Sequence, residues 1–163
     1  MSVSVRPATV DDVDAAVDLY AEVAGEGRWI AGEAPVDKLA RHARFETSVR
    51  RDDAQMFVAE LDGRIVGELG IELASYGVAE LGMMVATGVR GRGVGSALLA
   101  AAIDWARQAG AHKIALQVWP HNEPALALYR KFGFEQEGYL SHHYRRANGE
   151  QWDAIVMGLL LRE

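Results

Sequence analysis

The chain of 163 residues has no cysteine, only four prolines, and fewer basic than acidic side chains. The absence of cysteine excludes disulfide bonds, thiolate metal sites and a cysteine nucleophile. The formal net charge of −6 argues against a general nucleic-acid binder, which would normally be basic. No apolar run approaches the roughly 20 residues that span a bilayer, and residues 1–6 lack the apolar segment of a secretory signal. We therefore expect a cytoplasmic protein with no membrane partner.

The residues that are present fit a single domain over 1–163, with half of them apolar and a quarter charged. Helical spacing of apolar residues predicts four helices, at about 9–25, 36–50, 94–110 and 124–131. Strand-like runs predict seven strands, at 2–6, 55–61, 64–73, 78–85, 113–119, 133–139 and 152–161. The helix after 78–85 makes a crossover to 113–119, so these two strands should be parallel. The order predicts an α+β fold with one mixed sheet covered by helices.

A glycine-rich turn joins the apolar strand 78–85 to an alanine-rich helix, and its alternate glycines are Gly91, Gly93 and Gly95. Glycine lets a ligand approach the main chain, and the free N–H groups and dipole of a helix start favour an anion. No Gly-Lys-Ser/Thr follows, which excludes a nucleoside-triphosphate loop. The spacing of the glycines and the non-acidic end of strand 113–119 disfavour a dinucleotide site. A phosphate site and a plain flexible turn both remain consistent with this stretch alone.

A second stretch, 117–134, follows the next parallel strand. Together the two stretches closely resemble the GNAT superfamily of acyl-CoA-dependent N-acetyltransferases. The Arg/Gln-x-x-Gly-x-Gly/Ala motif of the family is matched by Arg90, Gly93 and Gly95. Its second signature is matched by Asn122, Ala125, Leu128, Tyr129, Gly133 and Phe134. The order of elements matches over nearly the whole chain, and the resemblance implies a mostly antiparallel sheet, flanked by about four helices, in which the parallel pair splays apart.

The resemblance implies acetyl-CoA as the co-substrate. The main-chain N–H groups of the turn would hold its pyrophosphate, with charge added by Arg90 and Arg92, and the backbone of residues 83–85 would pair with its pantetheine arm. Asn122 would bond the same arm, or would be only a turn or cap residue, since Asn is common just before Glu-Pro. The implied cofactor-binding residues are Met83, Met84, Val85, Arg90, Gly91, Arg92, Gly93, Val94, Gly95, Ser96, Asn122 and Tyr129.

The implied reaction is direct attack of a primary amine on the thioester, with N–H groups near Val85 stabilising the oxyanion. Tyr129 would protonate the leaving thiolate or donate a hydrogen bond to it; the alternative is a core tyrosine on an apolar helical face. An aliphatic ammonium has a pKa of about 10.4, so a base or a water relay must remove a proton. Glu80 is the first candidate base, with a surface or salt-bridged carboxylate as the alternative, and Glu33 is the second. Weaker candidates are His142, His143 and Asp153.

In this family the acceptor is held by three segments, which correspond here to 25–35, about 74–80 and 141–152. We expect acceptor contacts from Trp29, Glu33, Tyr76, Tyr144 and Asp153. Their aromatic and acidic character would suit a primary amine of a small metabolite, an amino acid or a peptide N-terminus. The basic charge of helix 36–50 is expected to be a solvated face, and no spacing among the histidines indicates a metal site.

Two other functions remain open at this point. One is a non-catalytic acyl-CoA-binding regulatory module, and the other is a degenerate domain kept for oligomerisation. The intact turn, with Asn122 and Tyr129 both present, argues against the degenerate domain. The apolar last strand could contribute to the sheet of a homodimer.

Overall fold

The computed structural model describes residues 2–161 and contains seven strands and four helices there, in the predicted order. The strands are β1 (Ser4–Pro7), β2 (Ala54–Leu61), β3 (Arg64–Leu73), β4 (Val78–Val85), β5 (Lys113–Val118), β6 (Glu135–Arg145) and β7 (Gln151–Leu160). The helices are α1 (Val13–Gly25), α2 (Lys38–Arg50), α3 (Val94–Gln108) and α4 (Glu123–Lys131). No helix in this described part of the chain is long and apolar enough to cross a membrane.

The seven strands form one sheet in the order β1-β2-β3-β4-β5-β7-β6. β4 and β5 are parallel and the other neighbours are antiparallel, which confirms the predicted α+β fold with a mixed sheet. The pairing of β4 with β5 covers only Val78–Glu80 against Lys113–Ala115, although β4 continues to Val85. The two strands therefore separate beyond Glu80, and the predicted splayed pair is confirmed.

Helix α3 covers one face of the sheet, and α1 and α2 lie on the other. Leu98 of α3 is fully buried in the same apolar cluster as Leu69 of β3. Gly67 of β3 permits this packing, because a Cβ there would lie 2.9 Å from the Val94 side chain. A smaller cluster on the opposite face contains Ala16, Met56 and Val58, with Phe45 and Val49 of α2 packed against it.

Most elements begin or end within a few residues of the prediction, and the differences at α2 and β6 have a clear physical reason. Helix α2 begins at Lys38 because the Asp37 carboxylate accepts the Ala40 N–H at 3.0 Å and caps the helix there. Strand β6 extends to Arg145, through a register shift between Leu140 and Tyr144, into the segment predicted as a polar loop. Most of β6 is exposed, so its polar composition fits an edge strand.

The apolar last strand, β7, lies between β5 and β6. Over Ile155–Gly158 both of its edges are paired, so this apolar part of the strand has no free edge on which to continue the sheet into a second copy of the chain. Its apolar composition reflects its interior position in the sheet. The expectation that this strand joins a dimer sheet is therefore wrong.

Candidate active site

A cavity of about 520 Å³ opens beside the part of β4 that has separated from β5, between the starts of α3 and α4. We call it the donor cavity. Eleven of the twelve residues predicted to bind the cofactor line it, and Arg92 does not. The remaining lining is mostly apolar: Val23, Trp29, Ile30, Val89, Pro124, Ala125 and Leu128.

The start of α3 offers main-chain N–H groups to this cavity. Gly91 and Gly93 have φ angles of 80° and 83°, and an added Cβ at either would meet nothing within 4 Å. Gly93 is the N-cap residue of α3, and no side chain of residues 2–161 caps the helix. The N–H groups of the first helical turn are therefore free for an anionic ligand. This open, uncapped helix start together with apolar walls fits a pyrophosphate that carries a pantetheine arm.

Arg90 lies in the wall of the donor cavity, where hydrogen bonds to neighbouring residues fix its side chain. Its two terminal guanidinium nitrogens each donate to the Glu26 carboxylate at 2.8 Å, and its Nε donates to the Val85 carbonyl at 3.0 Å. These bonds to Arg90 are the main reason why the pKa of Glu26 is lowered. The Trp29 indole N–H also donates to Glu26, at 3.2 Å. Sequence reasoning missed Glu26, which is the C-cap residue of α1 and lies 64 residues from its partner.

Asn122 lines the donor cavity and also caps α4. Its side-chain oxygen accepts the Ala125 N–H at 3.3 Å. The two interpretations of this residue are therefore compatible, because the capping bond uses the oxygen and leaves the amide NH₂ as a donor.

Tyr129 combines the features of a core residue with a place in the cavity wall. Its side chain is 6% exposed and its ring lies 5.6 Å from the ring of Phe134, centroid to centroid. Burial raises the pKa of Tyr129 to about 12. The hydroxyl therefore stays protonated throughout the physiological pH range and can act as a hydrogen-bond donor there.

A second cavity, of about 670 Å³, lies on the opposite face of the sheet, between the sheet and α2. We call it the acceptor cavity. Its floor includes Gly70 and Gly82, which are paired across β3 and β4. A Cβ on either would meet nothing within 4 Å, so the floor is open because these two positions lack side chains. Among residues 2–161, Met84 alone lines both cavities. The two cavities therefore approach each other at the end of β4.

Three carboxylates lie in the floor of the acceptor cavity. Glu80, the first candidate base, is exposed there, and Glu72 lies across from it on β3. Glu72 is paired with Arg51 at 2.8 Å. Glu68 is 3% exposed and lies across from Met84. Sequence reasoning missed Glu68, because an acidic residue in an alternating strand resembles the solvent-facing position of that strand.

The wall above this floor is basic and comes from α2 and its end, through Arg41, Arg44 and Arg51. Arg41 donates to the Tyr20 hydroxyl at 2.8 Å and stacks on the Tyr20 ring at 3.9 Å. On the side of α2 that faces the sheet, Arg41 is half-buried against Tyr20, whereas Arg44 is exposed, as expected for a solvated face.

The residues predicted to contact the acceptor do not come together in one place. Trp29 lines the donor cavity. Glu33 accepts the Ala147 N–H at 3.0 Å and so fastens the loop after α1 to the β6–β7 turn. Arg146 supports the same attachment by donating to the Ala31 carbonyl at 2.9 Å.

Tyr76, Tyr144 and Asp153 line neither cavity of the described structure. Tyr76 is 96% exposed, and the Tyr144 hydroxyl donates to the side-chain oxygen of Gln117. Asp153 accepts the His142 N–H at 2.6 Å, and this bond is the main cause of the lowered pKa of its carboxyl. Their contacts with an acceptor stay predictions.

The sequence and the fold match known acetyltransferases. The model of the acetyltransferase (GNAT) family matches residues 17–134. The chain is 31% identical over 150 residues to an L-methionine sulfoximine/L-methionine sulfone acetyltransferase of Pseudomonas aeruginosa. The matched segment covers 86% of this chain and 84% of that protein. It is 36% identical over 124 residues to an L-amino acid N-acetyltransferase of Escherichia coli, covering 71% of this chain and 74% of that one.

Among solved structures, a ribosomal-protein-alanine N-acetyltransferase from Brucella melitensis superposes with a TM-score of 0.87 and 30% identity, covering 97% of this chain and 99% of that chain. The family match includes every residue predicted to bind the cofactor. The predicted resemblance is confirmed: the chain belongs to the acetyltransferase (GNAT) family and is an N-acetyltransferase whose acetyl donor is acetyl-CoA.

Proposed function

We propose that the acceptor is the α-amino group of an amino-acid-sized molecule, held in the acceptor cavity while acetyl-CoA occupies the donor cavity. The observation that carries this proposal is the position of Met84 in both linings, which brings the two ligands together at the end of β4. Relatives named for L-methionine sulfoximine, L-methionine sulfone and L-amino acids agree with an acceptor of this size and charge.

The charges of the acceptor cavity support a zwitterion. The floor carries Glu68, Glu72 and Glu80, which suits an ammonium group. The facing wall carries Arg44, which forms no ion pair within residues 2–161 and can receive a carboxylate. An amine without a carboxylate would use only half of this arrangement, so amino acids should be preferred over simple alkylamines.

In the donor cavity we propose main-chain binding of the pyrophosphate by residues 91–96, with Asn122 donating to the pantetheine arm. Arg90 stabilises the wall of the donor cavity through its ion pair with Glu26. Arg92 is exposed just outside the lining, so its charge can act only at the rim of the cavity. Residues 83–85 present β4 backbone that has no β5 partner beyond Glu80, and this free edge can pair with an extended ligand.

Tyr129 is proposed to donate a hydrogen bond to the sulfur of the leaving group. Its pKa of about 12 lies well above the roughly 8.5 of an ordinary thiol, a gap that corresponds to about 5 kcal/mol. Full proton transfer from Tyr129 is therefore costly, whereas a hydrogen bond uses the protonated hydroxyl directly. Glu80 is exposed on the cavity floor and is proposed to receive, through water, the proton that leaves the amine.

The experiment is an amine panel with released coenzyme A as the readout, preceded by thermal melting with and without acetyl-CoA. We expect stabilisation by acetyl-CoA, and coenzyme A release with L-methionine sulfone and other L-amino acids but little with n-butylamine. Stabilisation without release for any amine would favour the non-catalytic acyl-CoA-binding module. Equal release with n-butylamine would contradict the proposed carboxylate contact.

We also propose that the protein is a cytoplasmic enzyme that acts on small amines and has no nucleic-acid or membrane partner. The net charge of −6 supports the absence of a nucleic-acid partner. A homodimer, if formed through the sheet, would use the edge strands β1 or β6. Gel filtration with light scattering tests that point.

A further inference from the structure

We propose that Glu68 of β3 binds the acceptor amine and accepts its proton, an inference that rests on the proposed function. Glu68 lies in the floor of the acceptor cavity, directly across the sheet from Met84. Neighbouring strands are about 4.8 Å apart, so Glu68 is close to the residue that lines both cavities. Glu80 lies four residues from Met84 along β4, which is about 13 Å at the rise of a strand. Glu68 is therefore the cavity carboxylate nearest to the place where the two ligands meet.

Glu68 is buried without a partner. Its side chain is 3% exposed, and its Oε2 accepts no hydrogen bond from residues 2–161. A buried polar atom without a partner destabilises a folded protein, so it calls for an explanation outside folding. A primary ammonium brings three N–H donors and the opposite charge, which are what this carboxylate lacks.

The surroundings of Glu68 keep its proton exchangeable near neutral pH. Burial raises the pKa of Glu68 to about 8, while the positive charge of Arg41 acts in the opposite direction. The titratable and charged side chains that share its cavity are Tyr20, Arg41, Arg44, Arg51, Glu72 and Glu80. A base is most efficient when its pKa lies near the working pH. An incoming ammonium stabilises the ionised carboxylate, which can then take a proton from that ammonium.

Atoms and charges balance when Glu68 accepts the proton of the ammonium. The ammonium gives one proton to the Glu68 carboxylate, and the resulting amine nitrogen forms a bond to the acetyl carbonyl carbon. The carbon–sulfur bond breaks, the sulfur leaves with the electron pair, and it takes up the second proton lost by the nitrogen. The proton on Glu68 then passes to water on the side of the exposed Glu80. The net change converts an ammonium and a thioester into an amide, a thiol and one released proton.

The test compares Glu68→Gln with Glu135→Gln, which makes the same change on the exposed edge strand β6 outside both cavities. Two amines are used: L-methionine sulfone, and 3,3,3-trifluoroalanine, an amino acid whose trifluoromethyl group keeps the amine mostly unprotonated at neutral pH. We expect Glu68→Gln to lower kcat/KM about 100-fold for L-methionine sulfone and less than about fivefold for trifluoroalanine, because only the first amine needs a base. In the wild type the rate with L-methionine sulfone should rise up to about pH 8, and this limb should disappear in Glu68→Gln.

Thermal melting separates this role from a structural one. The raised pKa means that the folded wild type disfavours the ionised carboxyl, so its stability falls relative to Glu68→Gln as the pH rises from about 4.5 to about 8. Glu68→Met, which removes the unpartnered carboxyl altogether, should melt no lower than wild type at pH 8 while losing the same activity.

Three results would overturn the inference while leaving the proposed function in place: unchanged activity of Glu68→Gln, an equal loss with both amines, or a lowered melting temperature at pH 8 in both Glu68 variants. A larger loss in Glu80→Gln than in Glu68→Gln, with the pH limb kept in the latter, would also overturn it and return the role to Glu80. No coenzyme A release by the wild type with any amine would instead contradict the proposed function itself.

Discussion

The donor and acceptor cavities lie on opposite faces of one sheet and are built in different ways, although Met84, alone in the described part of the chain, lines both. The donor cavity combines a backbone anion site, at the glycine turn and the start of α3, with the free edge of β4 and walls of apolar side chains. The acceptor cavity is lined by side chains from α1, α2, β2, β3 and β4, and its floor is open at two glycines. A backbone site suits one invariant ligand, whereas a side-chain site can be adjusted to a particular acceptor. Changes on one face should therefore leave binding on the other face intact.

The largest effect is expected at the helix start of the donor cavity, with Gly93→Val. Gly93 has a φ of 83°, which a β-branched residue adopts only with strain, and the added side chain would enter the space in front of the N–H groups. We expect acetyl-CoA affinity to fall by at least about 100-fold in calorimetric titration. Gly110→Val is the matched control, because Gly110 has a φ of 85° at the other end of α3 and lies outside both cavities. A comparable loss in that control would mean that general strain, and not the anion site, is responsible.

A loss in catalysis without a loss in donor binding is expected for Tyr129→Phe. Removing the hydroxyl takes away the proposed hydrogen bond to the leaving sulfur, so kcat should fall about 100-fold while acetyl-CoA affinity changes less than threefold. The pKa of about 12 also predicts that the wild-type rate does not decline between pH 8 and 10 through ionisation of Tyr129. Tyr139→Phe, on the exposed part of β6, should keep wild-type turnover. Wild-type kcat in Tyr129→Phe would leave Tyr129 as a core residue only.

Weaker acceptor binding with unchanged acetyl-CoA binding is expected for Gly70→Val in the acceptor cavity. A Cβ at Gly70 meets nothing within 4 Å, and valine favours a strand, so the fold should tolerate the change. The added side chain would occupy part of the acceptor cavity. We expect KM for L-methionine sulfone to rise about tenfold with acetyl-CoA affinity unchanged. Weakened acetyl-CoA binding in this variant would show that the two cavities are not independent.

The smallest effect is expected for Arg44→Gln in the wall of the acceptor cavity. Arg44 is exposed, so solvent screens its charge and the loss of a carboxylate contact should raise KM for L-amino acids only about fivefold. Arg50→Gln is the control, because Arg50 also lies on α2 but pairs with Glu46 outside the cavity lining. Equal effects of the two variants would reduce the role of Arg44 to the general charge of the helix.

The difference between the cavities also explains what the sequence could predict. Gly91, Gly93 and Gly95 lie within one short stretch of sequence and Asn122 to Tyr129 within another, so two local patterns find them. The turn between β2 and β3 is equally local: Asp62-Gly63 is a typical two-residue hairpin pair, and its φ angles are 53° and 76°. In contrast, the acceptor cavity depends on which faces of β3 and α2 meet across the fold, and no local pattern records that.

Single residues show where sequence reasoning failed. Glu68 occupies a polar position of an alternating strand, and only the packing of α1 and α2 over that face buries it. Arg90 was predicted from its motif, but its partner Glu26 lies at the far end of α1. Glu33 was predicted in the right loop, yet its carboxylate is engaged by the Ala147 N–H of the β6–β7 turn. In each case a contact between distant segments decides what the side chain does.

The central claim is that both ligands are bound together, one on each face of the sheet, and react directly at the end of β4. Initial-velocity kinetics with acetyl-CoA and L-methionine sulfone varied against each other test it most directly. Direct transfer between two occupied cavities predicts double-reciprocal lines that intersect, with free coenzyme A and N-acetylated amine formed in equal amounts. Parallel lines, the pattern of an acetylated enzyme intermediate, would contradict the account.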